Sequence, residues 1–139
     1  MARSAKALMA ILAVAPGIYI SMTVALAIMG KLGFVPRIPF LFIFLGLLAV
    51  SVLDGGLLVF IQTSTKVMSS MGRYDPVARV YHIATLGSIL SEAFSIFGII
   101  LTLFSGSLAF IAGFSAVTWI GILWVRSKFN QNLGRLPNP

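Results

Sequence analysis

The sequence predicts an all-α protein, a polytopic membrane helix bundle of four transmembrane helices with both termini cytoplasmic. Three observations predict it. The 139 residues are 59% hydrophobic and only 9% charged, against about 25% charged in an ordinary soluble domain. Such a chain cannot wet the surface of a globule, so most of its exterior must face lipid or other apolar protein. Four apolar stretches, at about 7–30, 38–61, 80–104 and 107–125, are each close to or above the roughly 20 residues that cross the hydrocarbon as a helix. The basic residues, finally, sort to one side of a four-crossing chain.

The first stretch follows Arg3 and Lys6, and Ala13-Val14-Ala15 has the small-x-small form of a signal cleavage site. Its apolar run is about twice the usual signal core, and Pro16 would stand directly after the cut, so it reads as a retained helix that Pro16 kinks. Gly30, Gly33, Pro36 and Pro39 close this helix and open the second, in a short loop that carries Lys31 and Arg37. Residues 62–79 form a more polar loop, in which Asp75 and Pro76 are a helix start signal as N-cap and first helical position. From Pro76 the third helix projects a turn or two into water. Ser105-Gly106-Ser107 then folds helices three and four into a tight antiparallel hairpin. A polar tail follows over 127–139, with Asn130, Gln131 and Asn132.

Arg3, Lys6, Lys66, Arg73, Arg79, Arg126, Lys128 and Arg135 fall on one side of this topology, and Lys31 and Arg37 on the other. The positive-inside rule makes the first side cytoplasmic. Trp124 beside Arg126, and Tyr81 beside Arg79, are aromatics of the kind found at that interface. The net charge of +7 thus reads as orientation charge, and nucleic acid is not an expected partner. The expected partners are the lipid bilayer and other membrane subunits or further copies of the chain.

Cysteine is absent and His82 is the single histidine, so the chain has no means of building a thiolate, haem or transition-metal site alone. It holds no Ser-His-Asp set and no phosphate loop. No enzyme activity, cofactor or metal is expected.

Two acids, Asp54 and Glu92, fall inside predicted spans, and no Lys or Arg does. An acid at a helix centre costs at least about 2.5 to 3.5 kcal/mol and is a functional hypothesis by default. Without a cation at their depth, these two must be protonated, share a proton, face water or meet a cation of another subunit. Tyr81, Thr85, Ser88, Glu92, Ser95 and Thr102 form a polar stripe along helix three, which makes Ser88 and Ser95 the candidate neighbours of an ion at Glu92. The same neighbours would serve a protonated glutamate that only ties the bundle together. Gly87, Ser91 and Gly98 border the stripe and admit a close backbone.

Rows of small residues recur at Ala13, Gly17, Ser21 and Ala25, and at Ala109, Gly113 and Gly121. They are packing faces, within the chain or between chains. Asp54-Gly55-Gly56 allows two readings: a broken helix that coordinates an ion, or a packing notch with a buried acid bonded to a neighbouring helix.

Ser91 to Leu103, reading S-E-A-F-S-I-F-G-I-I-L-T-L, resembles the carboxylate-bearing helix of rotary ATP synthase c subunits. Arg73 and Pro76 stand about where that family has its polar loop. The resemblance implies that Glu92 carries a proton or sodium ion and that Arg73 makes a loop contact. The chain as a whole resembles small four-helix bacterial integral membrane proteins, through the A-x-A-P-x-I-[FY] stretch from Ala13 to Tyr19 and the L-x-E-A-x-x-[IL]-F-G stretch from Leu90 to Gly98, and the expected location is the bacterial inner membrane. That likeness implies topology and no activity. The expected function is a structural or accessory subunit of a larger membrane complex, and the alternative is a proton- or cation-translocating subunit using Glu92.

Overall fold

The computed structural model describes residues 2–33 and 39–136, with side chains from Ser4 onward. Pro36, Arg37, the first residue of the predicted second span, the Arg3 side chain and tail residues 137–139 lie outside the described residues. The rest is helix and short connections, without a strand among the described residues: α1 (Ala2–Ile28), α2 (Phe40–Thr63), α3 (Thr65–Ser70), α4 (Pro76–Ser105) and α5 (Leu108–Gly134). All but α3 are long and apolar enough to cross a membrane. The shortest of these four, α2 with 24 residues, reaches about 36 Å at 1.5 Å per residue, beyond the roughly 30 Å of hydrocarbon.

The helices do not form an even square. α4 is the hub, packed most extensively on α5 and also on α1 and α2, while α1 also packs on α5. Burial follows that order. Twelve residues of α4 are buried but only Ser51, Leu58 and Gln62 of α2, so α2 is a helix laid against one side of an α1–α4–α5 triangle.

Small residues bring α4 and α5 together. A Cβ added at Gly98 would stand 2.8 Å from the Phe114 Cβ and 3.1 Å from the Ile111 Cα, and one at Gly121 would stand 2.6 Å from the Ser91 Oγ. These distances leave no room for a methyl group, so glycine on each helix sets the separation. The last turn of α4 closes at Gly106, which adopts φ 73 and donates its N–H to the Thr102 carbonyl at 2.9 Å. At the end of α1, Gly30 takes φ 64 and the Lys31 N–H reaches the Leu26 carbonyl at 2.9 Å, a left-handed helix stop. Gly33 then donates to the Leu103 carbonyl at 3.0 Å with its Cα 3.6 Å from where a Gly106 Cβ would lie. Phe110 stacks beside Phe40 and Phe44 with centroids 6.0 Å away from each, joining α2 to the same end of the bundle.

At the opposite end Ala5, Met9, Leu58, Val80, Ala84, Val125 and Phe129 make one apolar cluster. The Gln62 side chain crosses from α2 and donates to the Ile83 carbonyl at 3.0 Å.

Three local expectations are corrected. Asp75 occupies the N-cap position of α4 but makes no side-chain cap bond; Pro76 at the first helical position, with its fixed φ, starts the helix. The loop 62–79 contains the short helix α3. Most of the polar tail is helix, because Phe129, four residues after Val125, keeps the apolar seam of α5 facing the core and packs edge-on against Tyr81 at 5.3 Å. Of the two readings of Asp54-Gly55-Gly56, the broken helix is not seen, since α2 is continuous from Phe40 to Thr63. There Gly55 faces the Phe94 ring, whose Cζ would lie 3.5 Å from an added Cβ, an ordinary packing contact.

Glycines of equal size but unequal surroundings give a direct test. Gly98→Ala should lower stability by about 1 to 3 kcal/mol, because the methyl overlaps the α5 backbone. Gly113→Ala meets nothing within 4 Å and should be neutral or gain up to about 1 kcal/mol from helix propensity. Unfolding in mixed detergent micelles, followed by circular dichroism, reads both.

Candidate functional site

Glu92 projects from the middle of α4 into the bundle and is 7% exposed. The polar stripe on which it lies turns inward from Ser88 onward: Ser88, Ser95 and Thr102 are fully buried, while Tyr81 and Thr85 are half-buried. Most of the hydroxyls are committed. Ser88 donates to the Ala84 carbonyl at 2.8 Å and Ser91 to the Gly87 carbonyl at 2.8 Å, each one turn back on α4. Ser95 crosses to α5 and donates to Thr118 Oγ1 at 2.7 Å. Thr102 Oγ1 accepts the Ile111 N–H at 2.9 Å, tying the start of α5 to the end of α4. Glu92 shares in none of this: neither Oε1 nor Oε2 has a hydrogen-bond partner.

Tyr19, on α1, brings its hydroxyl toward the Glu92 carboxyl without closing a bond of hydrogen-bond geometry. The one polar side chain that approaches the carboxyl is thus the Tyr19 phenol, while the serines of the same stripe have given away their protons elsewhere but keep lone pairs. Ser115 Oγ on α5 is likewise buried without a partner. An anion enclosed this way is far costlier than a neutral acid. Chemically, the arrangement leaves a carboxyl free to carry a proton or to meet a cation. Among the described residues no group of three His, Asp or Glu gathers to hold a metal.

Asp54 is half-buried on α2, and its Oδ2 is enclosed without a partner. The structure does not join it to Glu92 by a hydrogen bond, nor to any neighbouring helix through that oxygen. The small-residue rows divide. Gly87 is packed by Gln62 and by the Val125 Cγ2 at 2.9 Å from an added Cβ, whereas Gly17 and Gly113 have nothing within 4 Å. Ser21 and Ala109 are exposed, and Ser21 bonds only to the Gly17 carbonyl of its own helix at 2.9 Å. Ala13 is half-buried, and its carbonyl accepts the Trp119 indole N–H at 2.8 Å.

Tyr19, Gln62, Ser115 and Thr118 were not evident from the sequence as members of the interior polar set. Ser115 and Thr118, three residues apart on α5, match the stripe of α4 in spacing, and that periodicity was the available signal. Tyr19 carries none, since it is set among apolar neighbours.

Removing an unpaired buried group and removing a paired one should have opposite effects. Glu92→Met should raise stability by about 1 to 3 kcal/mol, the cost of a buried polar group without a partner. Thr102→Val should lower it by about 1 kcal/mol or more, since the Ile111 N–H loses that acceptor. Chemical unfolding in micelles at neutral pH measures both, and a loss of stability in Glu92→Met would show that the carboxyl is paired. Compared with protein-family models, curated proteins and solved structures, the chain matches none.

Proposed function

We propose that this chain is a small subunit of a larger membrane assembly, seated in a bacterial inner membrane with both termini cytoplasmic, and that it is not an enzyme. The observation that carries this reading is the open space over Gly17 on α1, Gly46 and Gly56 on α2, and Gly113 on α5. Small residues facing outward from membrane helices are where another helix approaches closely, since association in lipid relies on packing and not on hydrophobic transfer. Orientation rests on charge: Lys6, Lys66, Arg73, Arg79, Arg126, Lys128 and Arg135 belong to the helix ends and connection at one end of the bundle, and Lys31 to the other.

Purification in mild detergent followed by native mass measurement tests the assembly. The expected result is a mass well above the 14.9 kDa of one chain, reduced toward a single chain by Gly113→Leu with no change in helicity. A stable monomer would overturn the reading.

A second reading is favoured by the unpartnered Glu92 carboxyl: exchange of a proton or cation at mid-membrane. A hydrophobic carbodiimide reacts with a protonated carboxyl, so labelling of Glu92 should slow as pH rises or as the bound cation is added. Glu92→Gln should abolish it. Labelling that Glu92→Gln leaves unchanged would remove ion exchange and leave packing.

A further inference from the structure

A cavity of about 270 Å³ opens between α1 and α5, away from Glu92. Lys6 and Arg126 stand at one end of it, Met9, Ile122 and Leu123 line its walls, and Trp119 stands at the other end. The register explains the layout. The hydrogen bond from the Trp119 indole to the Ala13 carbonyl fixes α1 and α5 at that level. Seven residues back along α1 lies Lys6, and seven residues forward along α5 lies Arg126. At 1.5 Å per residue both cations are therefore about 10 Å from the indole, at the same end.

We propose that this groove binds one anionic glycerophospholipid, its phosphate held by Lys6 and Arg126 and the upper part of an acyl chain lying on Met9, Ile122 and Leu123 as far as Trp119. Charge complementarity identifies the occupant. Two exposed cations meet in the groove with no acid among its lining residues, and the planar guanidinium of Arg126 can engage two phosphate oxygens at once. A soluble anion would leave the apolar walls unmatched, and a zwitterionic lipid brings its own cation beside the two already present. The volume suits the headgroup-proximal part of a single lipid, with the remaining chain left in the bilayer. Basic pockets between membrane helices at the lipid headgroup level are suited to such lipids. The inference needs only that the helices cross a bilayer; it depends neither on an assembly nor on Glu92.

The full chain carrying Trp124→Phe, which leaves Trp119 as the sole indole, is reconstituted in phosphatidylcholine containing a small fraction of phosphatidylglycerol or phosphatidylcholine with brominated acyl chains. Half-maximal quenching of Trp119 should need at least about fivefold and up to about twenty-five-fold less brominated phosphatidylglycerol, because each of the two basic side chains near an anionic lipid contributes a factor of about five. Lys6→Gln with Arg126→Gln should abolish the preference, and Lys128→Gln with Arg135→Gln should keep it. Equal quenching by the two lipids, or equal loss in both double variants, overturns the proposal. Displacement of the brominated lipid by glycerol 3-phosphate would assign the groove to soluble phosphates instead and also overturns it. Native mass spectrometry of the unsubstituted chain, expected to retain phosphatidylglycerol several-fold more often than phosphatidylcholine, decides the matter independently of whether the variants fold.

Discussion

The separation of α4 from α5 is the constraint on which the remaining contacts depend. Gly98 and Gly121 let the two backbones approach until a single methyl group would not fit. At that distance the Ser95 hydroxyl reaches Thr118 and the Ile111 N–H reaches Thr102. In hydrocarbon there is no hydrophobic gain from bringing two apolar helices together, so close packing and interhelical hydrogen bonds must supply the association. α1 then docks on a surface that both helices provide. The α4–α5 turn at Gly106 also receives the Gly33 N–H through Leu103, so the same hairpin positions the start of the α1–α2 connection.

This placement accounts for the unusual standing of Glu92. The hydroxyls of its stripe complete their bonds along α4 or across to α5, and Tyr19 of α1 brings its hydroxyl toward the carboxyl. The polar interior thus contains a tie between two helices and, beside it, an acid that the tie does not use. A bundle stabilised only by interior hydroxyls has no need of that acid, which is why its removal and the removal of Thr102 are opposite in sign.

Much of the fold was legible in the sequence, because a membrane span is a one-dimensional property. Twenty or so apolar residues between polar flanks define α1, α2, α4 and α5 whatever their neighbours do. The inward turn of the stripe from Ser88 to Thr102 was also legible, since a polar row cannot face lipid. Which small residue meets which helix was not. Gly98 and Gly113 sit in similar local sequences, yet one is pressed against a backbone and the other faces open space, and only three-dimensional arrangement separates them. The same holds for the Lys6–Arg126 groove, whose two cations are 120 positions apart in the chain and meet only through the Trp119–Ala13 register. Asp75 shows the opposite error: a good local signal for a side-chain cap was present, and the helix starts there at Pro76 without the cap bond.

The one-sided seating of α2 has a consequence for the stability hierarchy of the molecule. α2 shares its main seam with α4 alone, the Gln62 anchor included, supplemented by point contacts such as the Phe40–Phe44–Phe110 cluster, whereas α1, α4 and α5 each touch the other two. Opening that one seam leaves a closed three-helix unit behind it and exposes Ser51 and the edge of Phe94. Local opening free energy therefore differs across the bundle, lowest at the α2 seam and highest inside the triangle. The four-helix chain is mechanically a clamp of three helices with a fourth held at the jaw, and the jaw bears Asp54.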